Sequence, residues 1–353
     1  MKGGKKIAEG GYGCVHLPGL DCDGNDTNDN DYVSKLQKSN FSSKNEVRIG
    51  SLIRESIDSK SMDDSFAAVL SSCNINIDKI QSKNISDCSV IKKISSNSEL
   101  ILTKMRFVGK DDLDIYILKK DKSDSIVTYI QTLKHLLIGL KILVDINIVH
   151  FDMKGSNVVY DPDKSLPIII DFGLSIPIND VTPENVMKYF YVYAPEYYIW
   201  PLEVHYINML LHVTPQPDDS KLKDLVKGIV DSHTMSSFTD KFKKEYSKKC
   251  YQVLTHYNSL PIKDRMTMIS GFWNTWDNYS ISILYLNLLF SILKTSLGEP
   301  KKHPGNKFIR FMTESLVQNI HPEPYKRLSV EDTIISMNTY FSSATNKDYE
   351  DMG

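Results

Sequence analysis

Along the first hundred residues, apolar positions come in short runs broken by glycine, serine, asparagine and aspartate. In the second half they recur at helical spacing. Residues 5 to 17 read as a hairpin: a short strand, the cluster Gly10-Gly11-Tyr12-Gly13, then Cys14-Val15-His16-Leu17. Pro18 to Asp31 is polar and predicts a solvated loop, and Tyr32 to Gln37 a strand. Ser43 to Ile57, with Val47, Ile49, Leu52 and Ile53 apolar, predicts an amphipathic helix. Asp58 to Ser98 alternates short apolar and polar stretches, as strands and irregular loops would, and Glu99 to Lys104 is a compact apolar strand. Ser125 to Val144 carries Ile130, Leu133, Leu137, Leu140 and Val144 near helical spacing. Pro167 to Ile170 is a continuous apolar run, the pattern of a strand buried on both faces. Leu222 to Val230 and Phe238 to Tyr257 predict amphipathic helices, and Trp276 to Leu293 a helix apolar nearly all round. A mostly β beginning followed by a mostly α remainder predicts an α+β chain of two lobes.

Composition changes this picture little. The 353 residues are 41% hydrophobic and 24% charged, enough to bury a sizeable core. A formal net charge of -2 gives no general attraction to nucleic acid or to an anionic membrane. Met1 to Lys6 leads into no apolar run, so no secretory signal is expected. Ile281 to Leu293 is too short to span a bilayer and includes Ser282, Asn287 and Ser291. The cysteines (Cys14, Cys22, Cys73, Cys88, Cys250) are odd in number and lack CxxC spacing. That reads against a disulfide framework or zinc site and toward a reducing intracellular compartment. Asp21-Cys22-Asp23-Gly24-Asn25 has some calcium-loop character, but its glycine comes too early and no glutamate closes it, so it reads as an acidic turn.

The chemistry is concentrated in His150-Phe151-Asp152-Met153-Lys154-Gly155-Ser156-Asn157 and, after the apolar strand, Asp171-Phe172-Gly173. Phosphoryl transfer from a nucleotide needs a carboxylate to orient the attacking hydroxyl and oxygen ligands to hold divalent metal on the phosphates. It also needs a lysine to offset developing negative charge. Each short motif alone is weak, and their order and spacing together are specific.

These residues resemble the eukaryotic-type protein kinase family over most of the chain. The resemblance implies a bilobal protein-kinase-like fold in a single domain. A small, mainly β N-lobe would run to about residue 103 and a larger α-rich C-lobe from about 104 to 345. Ala8, Gly10, Gly11, Gly13 and Val15 would form the nucleotide loop, with Ala8 where the family has its first glycine. Lys35 is similar to the phosphate-contacting strand lysine, with Glu46 as its ion-pair partner and Glu55 as the alternative. Thr103 to Met105 would receive adenine through backbone groups. Asp152 would be the catalytic base, Lys154 the γ-phosphate contact, and Asn157 and Asp171 the magnesium ligands. Asp277 resembles the helix-opening aspartate that binds back to the catalytic loop. Ala194-Pro195-Glu196 resembles the end of the activation segment, with Arg327 as the arginine that pairs with Glu196. Small-molecule kinases lack that closing pair.

Three departures matter. Phe151 replaces the arginine that in the family pairs with a phosphorylated activation-segment residue, which implies independence of that phosphorylation. The family's threonine seven before the glutamate is Tyr189 here. Residues from about 197 to 275 imply a helical insertion, whose run Lys241, Lys243, Lys244, Lys248 and Lys249 reads as a solvated helix face. The expectation is an ATP- and magnesium-dependent Ser/Thr kinase acting on a protein substrate, intracellular, with no nucleic-acid or membrane partner. A pseudokinase scaffold or a small-molecule kinase are the alternatives. The compact lobes, the missing arginine and the insertion are also similar to kinases of large DNA viruses.

Overall fold

The computed structural model describes residues 5–11, 13–80, 84, 87–92, 98–232, 235, 237–297 and 307–343. Tyr12 of the glycine cluster and Met1 to Gly4 at the N-terminus lie outside the described residues. The chain divides into two compact units, Met1–Lys110 with Val159–Ser175, and Asp111–Val158 with Ile176–Gly353. The first unit thus reaches past residue 103 and also takes in the segment that carries Asp171.

The first unit is built on an antiparallel sheet of five strands in the order β1-β2-β3-β5-β4. They are β1 (Lys5–Glu9), β2 (Gly13–Leu17), β3 (Tyr32–Lys38), β4 (Ser71–Ile75) and β5 (Leu100–Arg106). Strand β5 pairs with β3 on one edge and β4 on the other, which explains why Leu100 to Thr103 is apolar or small at every position and buried. Helix α1 (Phe41–Ser56) opens on a reciprocal cap: Asn40 Oδ1 accepts from the Ser43 N–H at 2.9 Å, and Ser43 Oγ accepts from the Asn40 N–H at 3.0 Å. It buries Ile49 and Ile53. Gly50 is required between them, because a Cβ there would come within 2.8 Å of the Val69 carbonyl oxygen. Helix α2 (Ser59–Ser65), capped by Asp58, falls where only strands and loops were expected. Helix α3 (Ser89–Lys92) follows β4, and the hairpin β7 (Val158–Asp161) with β8 (Leu166–Ile169) carries the chain to Asp171.

Two disulfides overturn the expectation that the cysteines stay reduced. Cys14 bonds Cys88 and Cys22 bonds Cys73, with Cα–Cα separations of 5.9 and 6.1 Å. The partners are 74 and 51 residues apart, so no local spacing reveals them. The fold brings α3 against β2, and the loop after β2 against edge strand β4. The cysteine-based argument for a reducing compartment falls with this finding. In the Asp21 turn, Asp21 Oδ1 accepts the N–H groups of Asp23 and Asn25 at 3.0 and 2.8 Å, in keeping with an acidic turn.

The second unit is helical: α4 (Leu113–Leu118), α5 (Lys122–Asp145), α6 (Val186–Tyr189), α7 (Leu202–His212), α8 (Asp219–Val230) and α9 (Asp240–Ser259), then α10 (Ile262–Ser270), α11 (Trp276–Leu297), α12 (Lys307–Asn319) and α13 (Val330–Ser343). A short ladder joins β6 (Ile148–Val149) to β9 (Ile176–Pro177). Helix α11 is buried on nearly every side, as its sequence predicts. Helix α5 is long and apolar enough to cross a membrane, but in the fold it packs on α11. There the Tyr129 and Tyr285 rings meet at a tilt with centroids 4.9 Å apart, and the Tyr285 hydroxyl donates to Thr132 Oγ1 at 2.8 Å. Helices α7 to α10 fill the expected insertion.

The disulfides make a direct prediction. Alkylation of the denatured, unreduced protein labels one cysteine, Cys250, and after reduction it labels all five. Mass spectrometry of the two samples checks this, and five labels without reductant would show that the bonds are absent.

Candidate active site

In the first unit, β3 and α1 bring Lys35 and Glu46 together across the sheet. Lys35 Nζ donates to both Glu46 oxygens, at 3.0 and 3.1 Å, and to Asp171 Oδ1 at 3.0 Å. Gln37 Nε2, two residues along the same strand face, donates to Glu46 Oε2 at 2.8 Å. Burial works against the Lys35 charge, but the two carboxylates outweigh it and hold the ammonium above its ordinary range. Glu46, the first choice of the sequence reading, takes the partner's place, while Glu55 stays exposed late in α1. Asp171 has a left-handed backbone, φ 61°. Asn45 of α1 secures the turn that follows by donating to the carbonyls of Gly173 and Ser175 at 3.1 and 2.8 Å. Sequence reasoning missed Asn45; a polar residue on the buried face of a helix, beside Glu46, was the available signal.

The glycine cluster divides by role. A Cβ on Gly13 would come within 2.2 Å of the Leu36 carbonyl oxygen, so its glycine is a requirement of the β2–β3 packing. A Cβ on Gly10 or Gly11 would meet nothing within 4 Å, which leaves that stretch open to a ligand's approach. Gly10 donates across the turn to Gly13 at 2.9 Å, Ala8 stands opposite Val15, and both lie in the β1–β2 ladder. Thr103 lies inside the sheet, opposite both Lys35 and Ser72. The strand runs on past Met105 to Arg106, and the backbone leaves the ladder only at Phe107.

In the second unit, Asp152 is held from three sides. Lys154 Nζ lies 2.9 and 3.1 Å from its two oxygens, Asn157 Nδ2 donates to Oδ2 at 2.7 Å, and the Tyr197 hydroxyl donates to Oδ1. Asn157 Nδ2 also donates to the Asp152 carbonyl at 2.9 Å, so its amide nitrogen is committed and its oxygen has no partner among the described residues. An uncommitted amide oxygen and the Asp171 carboxylate are the hard oxygen donors that magnesium takes, so each residue fits that ligand role. Asp277 Oδ2 accepts the His150 N–H at 2.6 Å and Oδ1 the Phe151 N–H at 2.9 Å. His150 is fully buried, in the structural place expected for it.

The sequence profile of the protein kinase domain matches residues 4–276. The chain belongs to the protein kinase family. It is also 33% identical over 100 residues to the CTD kinase subunit alpha of Saccharomyces cerevisiae, a stretch covering 28% of this chain and 19% of that protein.

One activation-segment assignment is corrected by this kinase's structure. Arg327 pairs with Glu203, not with Glu196: Nη1 reaches Oε1 at 2.6 Å and Nη2 reaches Oε2 at 2.9 Å, with both side chains wholly buried. Trp276 Nε1 donates to the same carboxylate at 3.1 Å, and Arg327 Nε to the His321 carbonyl at 2.8 Å. Glu196 is exposed. The signal was present, since Glu203 lies in the apolar run Ile199-Trp200-Pro201-Leu202-Glu203-Val204, where an ionisable residue needs a buried partner. The residue touching the catalytic groups is Tyr197, whereas Tyr189 is buried in α6. Burial and the Asp152 charge both push the Tyr197 hydroxyl well above its ordinary range, so it stays a donor.

Phe151 occupies its place by aromatic packing. Its φ of 68° is strained for a bulky residue, at a cost of about 1–3 kcal/mol. The ring stacks on Trp200 at 5.0 Å, meets Phe190 edge-on at 5.6 Å and tilts against Trp276 at 6.0 Å. Its carbonyl accepts from Trp200 Nε1 at 2.9 Å.

Breaking a buried bidentate pair leaves an unpaired charge, so Arg327→Met is expected to cost about 3–5 kcal/mol of unfolding free energy in urea denaturation. Glu196→Gln should change it by less than about 0.5 kcal/mol. Equal losses from the two variants would reverse the reassignment.

Proposed function

We propose that this kinase transfers the γ-phosphate of ATP to serine and threonine hydroxyls of a protein, without needing a phosphate on its activation segment. The observation that carries the reading is Lys35 bonded at 3.0 Å to both Glu46 and Asp171, since kinase turnover requires the lysine–glutamate pair and the metal-binding aspartate in place together. Lys35 would contact the α- and β-phosphates, and the Gly10-Gly11 stretch, open to approach, would cover them. Asp152 would orient the acceptor hydroxyl and receive its proton, and Lys154 would stabilise charge on the transferred group. Asn157 and Asp171 would hold magnesium, which when bound neutralises phosphate charge.

Serine and threonine are favoured as acceptors by Lys154, two residues after the base and tied to both Asp152 and Tyr197. Independence of activation-segment phosphorylation is supported by Phe151. Where the family places an arginine that awaits a phosphate, this chain has a ring already packed on Phe190 and Trp200 of the segment itself. A binding-only scaffold is disfavoured because every ionisable group of the reaction is present and paired. A small-molecule kinase is disfavoured by the closing pair, which is present as Glu203–Arg327.

The test is transfer from radiolabelled ATP to a generic protein acceptor by wild type, Lys35→Met and Asp152→Asn, with phospho-amino-acid analysis. Asp152→Asn should keep ATP affinity within a few-fold and lose turnover by about 10²-fold or more. The label should appear on serine and threonine. Undiminished transfer by Asp152→Asn would refute the assignment, and label confined to tyrosine would refute the acceptor class.

A further inference from the structure

Helices α8 and α9 lie side by side in the insertion and enclose a groove of about 420 Å³. Lys223 and Lys227 line it from α8, and Lys244 and Lys248 from α9, each pair one helical turn apart and so on one face. Val226 and Val230 of α8 also border it, Val226 buried and Val230 half-buried. The lysine run of α9 is solvent-exposed at Lys241, Lys244, Lys248 and Lys249, and of these Lys244 and Lys248 border the groove.

The charge in the groove is unbalanced. Lys223 takes Asp219 at 2.5 Å, and Asp231 is the one carboxylate in the lining. Lys227, Lys244 and Lys248 have no carboxylate partner among the described residues. Like charges one turn apart repel weakly at an exposed surface, so the three lysines without a carboxylate favour the approach of an anion.

We infer that the α8–α9 groove docks an acidic polypeptide segment carrying aliphatic side chains. Its carboxylates would meet Lys227, Lys244 and Lys248, and an aliphatic side chain would cover the half-buried Val230 and the lysine stems. The volume accommodates a few side chains, within the usual range of a ligand site. Nucleic acid fits less well. Four lysines would neutralise few phosphates, the chain as a whole is slightly negative, and the aromatic in the lining, Tyr251, already has its hydroxyl on Asp219. The inference does not require the phosphotransfer reading, because docking is measured without turnover.

The probe is a fluorescein-labelled peptide of Glu-Glu-Leu repeats, titrated with the full chain and followed by anisotropy. Saturable binding is expected, weakened about tenfold or more in Lys227→Glu/Lys248→Glu and left within about twofold by Lys241→Glu/Lys249→Glu. The neutral pair Lys227→Gln/Lys248→Gln should fall between, and thermal melts confirm that each variant is folded. Equal binding by wild type and the groove variants would overturn the inference. So would equal loss in the off-groove variant, or displacement of the peptide by oligothymidylate at equal or lower concentration, which would make the groove a nucleic-acid surface.

Discussion

The catalytic loop depends on one buried carboxylate. Asp277, at the start of α11, accepts two consecutive backbone N–H groups, those of His150 and Phe151, and through them sets where Asp152 begins. Burial pushes the Asp277 carboxyl above its ordinary range, opposed in part by the nearby His150 and by the two backbone donors. The dependence is mutual. Without the carboxylate the two N–H groups would be buried donors lacking partners, at about 1–3 kcal/mol each.

From that anchor the second unit is organised by aromatic contacts around Phe151, joined to one buried ion pair. Phe151 and Phe190 both lie against Trp276, the residue before Asp277, and Trp200 closes the cluster by stacking on Phe151 and donating to its carbonyl. Trp276 also donates to Glu203, so the aromatic cluster and the Glu203–Arg327 pair share a member. Aromatic pairs of this kind add about 0.5–1.5 kcal/mol each beyond burial and require no modification to form. The first unit uses charge: Lys35, Glu46, Gln37 and Asp171 form one network, and Asn45 fixes the turn after Asp171.

The sequence shows the fold well where periodicity is strong. The strand at Tyr32, the helices at Ser43 and Ser125, and the wholly apolar α11 appear within a few residues of their expected limits. Lys35, Glu46, Asp152, Asn157, Asp171 and Asp277 are legible because the chemistry fixes their types and order. Contacts decided by long-range packing were not legible. The two disulfides join residues whose proximity comes only from sheet order. Arg327 chose Glu203 over Glu196 because burial, which a motif does not encode, selects the glutamate in the apolar run. Tyr197 was hidden as well, because its contact with Asp152 is decided by packing that no motif encodes. Asn45 and the splitting of the lysine run depend on which helix face meets a neighbour.

If, as proposed, aromatic packing around Phe151 holds the activation segment ready without phosphate, the unphosphorylated kinase is fully active. The most direct test uses protein co-expressed with a phosphatase, shown to be unphosphorylated by intact mass, and assayed from the first seconds after ATP is added. Transfer to a protein acceptor is expected at full rate with no lag, while the kinase's own mass is unchanged. A lag that ends only as phosphate appears on a residue between Gly173 and Glu203 would contradict it.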